Sequence, residues 1–347
     1  MKRRDFLAAG LSVAAASGLG RLVRGDEPGS PFGIRGVVLT PADFSLEDWP
    51  ERAKRAGLTT IGLHHPTSPG EIARWLETDA GLGVLESCRE LGLEVEYELH
   101  AMRELLPREL FDKNPEFFRM DEKGERTPDS NCCPHSERAL DLIAENAAAM
   151  ARTLRPTSSR YFYWGDDGLP WCACPSCREL IPSEQALLVE NRTLRALREI
   201  DPKASFAHLA YHNTLEPPRQ VKPAEGIFLE YAPIHRRYDL PYEKQTDPDQ
   251  PDALSALDAN LAVFPAETAQ ALEYWLDVSL FSKWTRPAVK LPWRPDVLEA
   301  DLNTYAKRGI TRVTSFAVYV DAEYRDRFGD LRFLDEYGRA LSARVSA

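Results

Sequence analysis

Residues 136–167 read SERALDLIAENAAAMARTLRPTSSRYFYWGDD, a helix and a strand in immediate succession. Leu140, Ile143, Ala147, Met150 and Leu154 recur every three or four positions, which aligns apolar side chains on one stripe of a helix. Ser136 stands where an N-cap belongs. Beyond Pro156 the period changes. Tyr161-Phe162-Tyr163-Trp164 is a short aromatic run suited to a pleated surface, and it stops at Gly165-Asp166-Asp167. A helix that hands over directly to a buried strand is part of a βαβ unit.

The same alternation extends in both directions. Strands are predicted at Gly36–Thr40, Thr60–His64, Glu94–His100, Tyr161–Asp166, Ser205–Tyr211, Ile227–Tyr231, Ala288–Leu291 and Arg312–Val318. A further helix is expected after Pro265, with Ala269, Leu272, Leu276 and Leu280 on one stripe, whereas the connection around Val221–Ala224 is too short for one. The fold class is therefore α/β, and strands each followed by a crossover predict a closed (β/α)8 TIM-type barrel, with a doubly wound open sheet as the competitor. One domain is expected over residues 31–347, with Asp247–Asp252 as a surface loop.

Residues 1–30 read as a signal peptide and linker. Arg3 and Arg4 precede Asp5, Phe6 and Leu7, the twin-arginine pattern, and Ala14, Ala15, Ala16 and Ser17 suit cleavage. The apolar segment Leu7–Leu19, about 13 residues, falls short of the roughly 20 needed to span a bilayer, and no later segment qualifies. A periplasmic or extracellular protein without an integral membrane segment is expected. The net charge of −11 has no basic block to offset it, which argues against a nucleic-acid partner and suits neutral ligands.

In a barrel of this kind the site lies where strands end and βα loops begin. Polar and aromatic residues collect at those positions: His64 and His65, Glu98 and His100, Asp166 and Asp167, Tyr211 and His212, Glu230 and Tyr231, Trp293, then Tyr319 and Asp321. Strand interiors such as Gly36-Val37-Val38-Leu39 are apolar by contrast. Neighbouring side chains on a regular strand face opposite ways, and Gly165 is expected to relax the backbone so that Asp166 and Asp167 both project over the mouth. Two close carboxylates do not ionise together easily, so one can remain a proton donor near neutral pH. Cleavage of a glycosidic bond needs such a donor, because the leaving oxygen must be protonated as positive charge grows at the anomeric carbon.

A carboxylate pair ending strand four resembles the barrels of glycoside hydrolase families 20 and 84. Longer motifs resemble the DUF4838 family, which includes glycoside hydrolase family 163, endo-acting N-acetylglucosaminidases. The carriers are Asn114-Pro115-Glu116-Phe117-Phe118, Gly124-Glu125-Arg126, Asn131-Cys132-Cys133-Pro134, and Asp167 with Cys172-Ala173-Cys174-Pro175-Ser176-Cys177-Arg178. Asn191, Leu209-Ala210-Tyr211 and Pro217-Pro218 complete the set, which covers about residues 95 to 235. The resemblance implies hydrolysis of a β-linked N-acetylhexosaminide by a retaining, substrate-assisted mechanism, with no metal or organic cofactor. It implies that Asp166 orients the substrate's acetamido group and that Asp167 is the general acid. Family 20 has Glu where this chain has Asp167, which leaves Glu98 and Glu230 as alternative acids.

Pyranose rings stack an apolar C–H face on flat side chains while their hydroxyls need polar partners. Trp164, Trp171, Tyr211, Tyr231, Trp293 and Tyr319 are the candidate platforms; His65, Glu98, His100, His212 and Glu230 are the candidate hydroxyl partners. A second enzyme class is a metal-dependent sugar isomerase or epimerase. It is suggested by the short Ala53-Lys54-Arg55-Ala56-Gly57 helix, with Glu98, Glu230, Asp321 and a histidine on a divalent ion. A non-catalytic glycan-binding barrel is a third.

The six cysteines all fall between Cys88 and Cys177. Cys172-x-Cys174-x-x-Cys177 follows the two aspartates, and Cys132 and Cys133 precede them. Structural zinc or disulfides are both open, and export of an already folded chain permits a metal acquired in the cytoplasm. With Cys88 as a buried free thiol, any disulfide scheme leaves one of the remaining cysteines unpaired.

Overall fold

The structure is a computed structural model that describes residues 30–245, 252–329 and 331–343. The twin-arginine segment lies outside the described residues, as does the Asp247–Asp252 loop apart from Asp252 itself. Eight parallel strands close into a barrel in sequence order. They are β1 (Ile34–Leu39), β2 (Thr60–Leu63), β3 (Glu94–His100), β4 (Arg160–Trp164), β5 (Ser205–Ala210), β6 (Ile227–Tyr231), β7 (Gln270–Glu273) and β8 (Arg312–Phe316). Closure is made by β8 on β1, with Val37 opposite Ser315.

The surrounding helices are α1 (Trp49–Arg55), α2 (Pro69–Leu76), α3 (Asp79–Leu91), α4 (Met102–Leu105), α5 (Glu137–Thr153) and α6 (Pro182–Ile200). They continue with α7 (Ala253–Leu261), α8 (Val278–Phe281), α9 (Pro295–Lys307), α10 (Ala322–Phe328) and α11 (Arg332–Ser342). On α5 the stripe Leu140, Ile143 and Ala147 is buried, and Ser136 takes the N-cap position without a side-chain bond. Between β5 and β6 there is only a short 3-10 turn, His212–Thr214, among the described residues.

The seventh strand corrects the sequence reading. It is Gln270–Glu273, inside the stretch expected to be helical, and Ala288–Leu291 is an irregular segment. A four-residue strand buried on both faces shows no polar alternation, so the chance spacing of Ala269, Leu272, Leu276 and Leu280 imitates a helical stripe. Leu272 in fact points into the barrel, and Leu280 belongs to α8.

The strands alternate between two cores. Val37, Leu39, Ile61, Tyr97, Leu99, Tyr163 and Tyr231 pack outward under the helices. Val38, Phe162, Trp164, Ala207, Phe228, Leu272, Tyr274 and Phe316 fill the interior. Acidic residues are buried there too. Arg160 pairs with Glu96 at 3.2 Å and donates to Gln270 at 2.7 Å, and its guanidinium lies 4.5 Å over the Phe228 ring. Gly62 makes room for Glu98, since a Cβ there would stand 2.5 Å from Glu98 Oε1. This filled layer supports the mouth above it.

Candidate active site

Every strand end contributes to one cavity of about 650 Å³ at the C-terminal mouth. Trp164 ends β4 and meets the edge of His100 with ring centroids 5.0 Å apart. Tyr274, just after β7, stacks on Phe316 at 5.3 Å. Trp284 stands at the opening and is 62% exposed, a flat apolar face offered to solvent.

Two carboxylates line this cavity. Asp167 follows β4, and its side chain is largely open to solvent. His100 Nε2 lies 3.7 Å from Asp167 Oδ1, and the Tyr211 phenol stands beside the same carboxylate. Burial, with the negative Asp167 beside it, pushes the Tyr211 phenol upward, so this hydroxyl keeps its proton. Asp277 follows β7 and caps α8. Its Oδ1 accepts from Ser279 N at 3.0 Å, Leu280 N at 3.2 Å and Ser279 Oγ at 2.6 Å. Its other oxygen has no donor among the described residues. Burial raises Asp277 to about 6 against those hydrogen bonds, so it exchanges its proton close to neutral pH. Tyr211 and Tyr274 line the same cavity, and the charges of Asp167 and Asp277 add to burial in raising both phenols.

The histidines at the mouth present acceptors. His64 Nδ1 donates to the Glu98 carbonyl at 2.7 Å, and burial lowers the ring to about 4, so it is neutral and its Nε2 carries a lone pair. His100 Nδ1 donates in the same way to the Gly165 carbonyl at 2.7 Å. His65 also lines the cavity, as does Tyr319. Tyr319 is held at φ 70, with its N–H donating to Asp43 at 2.8 Å and Arg286 lying 4.1 Å over its ring. Trp284 shares a positive φ on the same rim, as do Asn131 and His212 in the loops outside it. Strained backbone of this kind gathers where loops are held for a purpose.

Of the adjacent pair, Asp167 faces the cavity and Asp166 does not. Asp166 Oδ2 accepts from Arg108 Nη2 at 2.5 Å and from Asn131 N at 2.6 Å, and its own N–H donates to Asn131 Oδ1 at 2.9 Å. Asp166 is a clamp between the β3–α5 and β4–α6 connections. Gly165 is required for packing and not for turning the chain, because a Cβ would lie 2.9 Å from Asn131 Oδ1 and 3.0 Å from Trp171.

Several other expected ligands also lie off the cavity. Trp171 is buried against Gly165, and His212 meets Tyr211 edge to face and is hydrogen-bonded to His235 at 2.7 Å. Tyr231 points outward, with its hydroxyl bonded to the Ala253 carbonyl. Trp293 packs on Phe333 and donates to Glu336. Glu98 and Glu230 sit one layer below the mouth. Glu230 accepts from Trp164 Nε1 at 2.8 Å and from Gln270 at 3.1 Å, so it holds the floor from beneath. Neither Glu98 oxygen has a hydrogen-bond partner among the described residues, and burial beside Glu230 raises both acids, Glu230 to about 8. Asp321 caps α10 and pairs with Arg286. The set Glu98, Glu230 and Asp321 proposed for a metal-dependent isomerase therefore does not converge.

The residues missed from sequence are Asp277, Tyr274 and Trp284. All follow the misassigned seventh strand. The Asp277-Val278-Ser279 capping pattern was the available signal, but it becomes meaningful only once Gln270–Glu273 is a strand.

Comparison with solved structures gives the same fold. Gan42B, a GH42 β-galactosidase from G. stearothermophilus, aligns with a TM-score of 0.53 at 13% identity, over 90% of this chain and 57% of that one. A β-N-acetylhexosaminidase from Bacteroides fragilis aligns with a TM-score of 0.52 at 11% identity, over 92% of this chain and 67% of that one. PbGH5A, a glycoside hydrolase family 5 enzyme from Prevotella bryantii, aligns at 0.50 and 10% identity, over 88% and 95%. The chain thus spans little more than half of the GH42 protein, and at these identities the likeness is one of fold. No curated protein matches the chain by sequence. The model of the domain of unknown function DUF4838 matches residues 79–321, well over half the sequence, and this chain belongs to that family.

Proposed function

We propose that this protein is a glycoside hydrolase that cleaves a β-linked glycan, with Asp167 and Asp277 as its two working carboxylates. The observation that carries the reading is their presence on the wall of one aromatic-lined cavity at a barrel mouth, at the ends of different strands. Hydrolysis of a glycoside needs a proton donor for the leaving oxygen and a carboxylate opposite it. Asp277, which burial raises to about 6, is the member of the pair suited to hold a proton, with one oxygen pinned by amides and the other unengaged. Asp167, solvent-accessible on the cavity wall, is the carboxylate suited to attack the anomeric carbon. Asp167 then bonds to that carbon as the glycosidic C–O bond breaks, and the leaving oxygen takes the Asp277 proton. Water, giving its proton to Asp277, next displaces Asp167 and restores both groups. Substrate assistance by a 2-acetamido group would need Asp166 in the cavity, and Arg108 and Asn131 occupy it.

The N-acetylhexosaminide class remains the substrate proposal. It rests on the resemblance to family 163, and the B. fragilis neighbour is named for that activity. Hydrolysis of aryl β-glycosides with and without a 2-acetamido group tests both levels. Turnover of at least one, lost in Asp167→Asn and Asp277→Asn, is expected. Binding on a glycan array with no turnover of any substrate would replace the hydrolase with a glycan-binding barrel. Export by the twin-arginine route belongs to the same proposal, and Lys at Arg3 and Arg4 should keep the protein in the cytoplasm.

A further inference from the structure

Behind the Asp166 clamp, four cysteine sulfurs converge. Cys133, Cys172, Cys174 and Cys177 are all buried, and their Sγ atoms lie within 4.8 Å of one another. Cys133 Sγ is 3.9 Å from both Cys174 Sγ and Cys177 Sγ. Four thiolates around one zinc at about 2.3 Å place neighbouring sulfurs about 3.8 Å apart, whereas a disulfide needs about 2.05 Å. The two 3.9 Å spacings match such an edge, and with all four sulfurs within 4.8 Å the cluster is of a size to close on one ion.

The surroundings are those of a thiolate site. Met120 N–H points at Cys172 Sγ at 3.3 Å, Arg126 Nη1 lies 3.7 Å from the same sulfur, and His135 Nδ1 is 3.2 Å from Cys177 Sγ. Donors and a fixed positive charge offset the surplus negative charge of four thiolates on a divalent ion. Gln185 braces the knuckle, accepting from Cys172 N at 3.0 Å and donating to the Cys172 carbonyl at 3.1 Å. Cys132, beside Cys133 in sequence, is buried apart from the cluster, as is Cys88.

We propose that these four cysteines bind one structural zinc ion, which replaces four thiol protons and ties the β3–α5 connection to the loop after β4. Cys133 follows Asn131 by two residues and Cys172 follows Trp171 directly, so the ion anchors both partners of Gly165 and thereby the clamp that leaves Asp167 facing the cavity. The inference is independent of which reaction the cavity performs.

The full-length chain, purified without chelator, tests it through metal content. One equivalent of zinc per chain is expected, released when a mercurial modifies the thiols. Cys133→Ser and Cys174→Ser should retain less than a tenth of that zinc, while Cys132→Ser and Cys88→Ser retain all of it. Cobalt substituted for zinc should show the visible absorption of a tetrahedral thiolate complex, absent in Cys174→Ser. Metal-free wild-type protein, a mass lower by two hydrogens per disulfide, or a red tetrathiolate iron centre would each overturn the zinc assignment. The wild-type measurements decide this even if the variants fail to fold.

Discussion

Two groups of acids occupy this barrel one layer apart, and they differ in access to water. At the mouth, Asp167 and Asp277 border the cavity; Asp167 is open to solvent and Asp277 accepts from backbone amides. Beneath it, Glu98 and Glu230 are fully buried, and Glu98 lacks any partner for its oxygens among the described residues. An ionised carboxylate can be kept where amides or water replace its hydration; where neither is available, the acid holds its proton. The upper group is the one the proposed hydrolysis uses. The lower one supports the floor.

The sharpest way to separate the layers is to remove charge from each. Asp167→Asn and Asp277→Asn should lower kcat on an aryl β-glycoside by about 10²–10⁴-fold. Asn still caps a helix, so the Asp277 variant should lose little in melting temperature. An equal loss of activity in Glu98→Gln with an unchanged melting temperature would break the comparison. Next in size is Gly62→Ala, whose Cβ meets Glu98 Oε1 and Val38. It should cost ~1–3 kcal/mol in denaturant unfolding, recovered in part by pairing it with Glu98→Ala.

Stability should also depend on pH through the lower layer. The folded pKa of Glu98 and Glu230 is raised, so the folded state holds protons that the unfolded chain gives up above the ordinary value of 4.5. Their contribution is complete below 4.5 and is lost as pH rises through about 8, where Glu230 ionises in the folded state. Melting temperature measured from pH 5 to 8 should therefore fall less in Glu98→Gln than in wild type. The upper layer has a different signature: kcat should fall as pH rises through about 6 and Asp277 loses its proton. The smallest effect is expected from Trp284→Ala. Loss of an exposed stacking face worth ~0.5–1.5 kcal/mol should raise KM several-fold and leave kcat and the melting temperature in place.

The sequence was most legible where local pattern and environment agree. The α5 stripe and the Tyr161–Trp164 run announced one βα repeat, and the alternation around them implied a closed parallel barrel. His65, His100, Trp164, Asp167, Tyr211 and Tyr319 do line the cavity; polar and aromatic residues at strand ends are conspicuous against apolar strands. Glu98, Glu230 and Tyr231 satisfied the same rule and were misplaced. Strand alternation sends Tyr231 outward, and barrel depth buries the two glutamates, and neither depth nor direction is written in a local window. Asp277 was lost because a short, doubly buried strand carries no period of its own.

Sequence alone determined the α/β class, the helix stripes, the strand-end clustering and the association of cysteines with the loops around strand four, because each depends on neighbours within a few residues. Only the tertiary structure decided that Asp166 belongs to Arg108 and Asn131 while Asp167 belongs to the cavity. It alone brought Asp277 into the same cavity and selected Cys133 over Cys132 for the sulfur cluster. Those choices depend on contacts between segments distant along the chain, and closure of the barrel is what creates them.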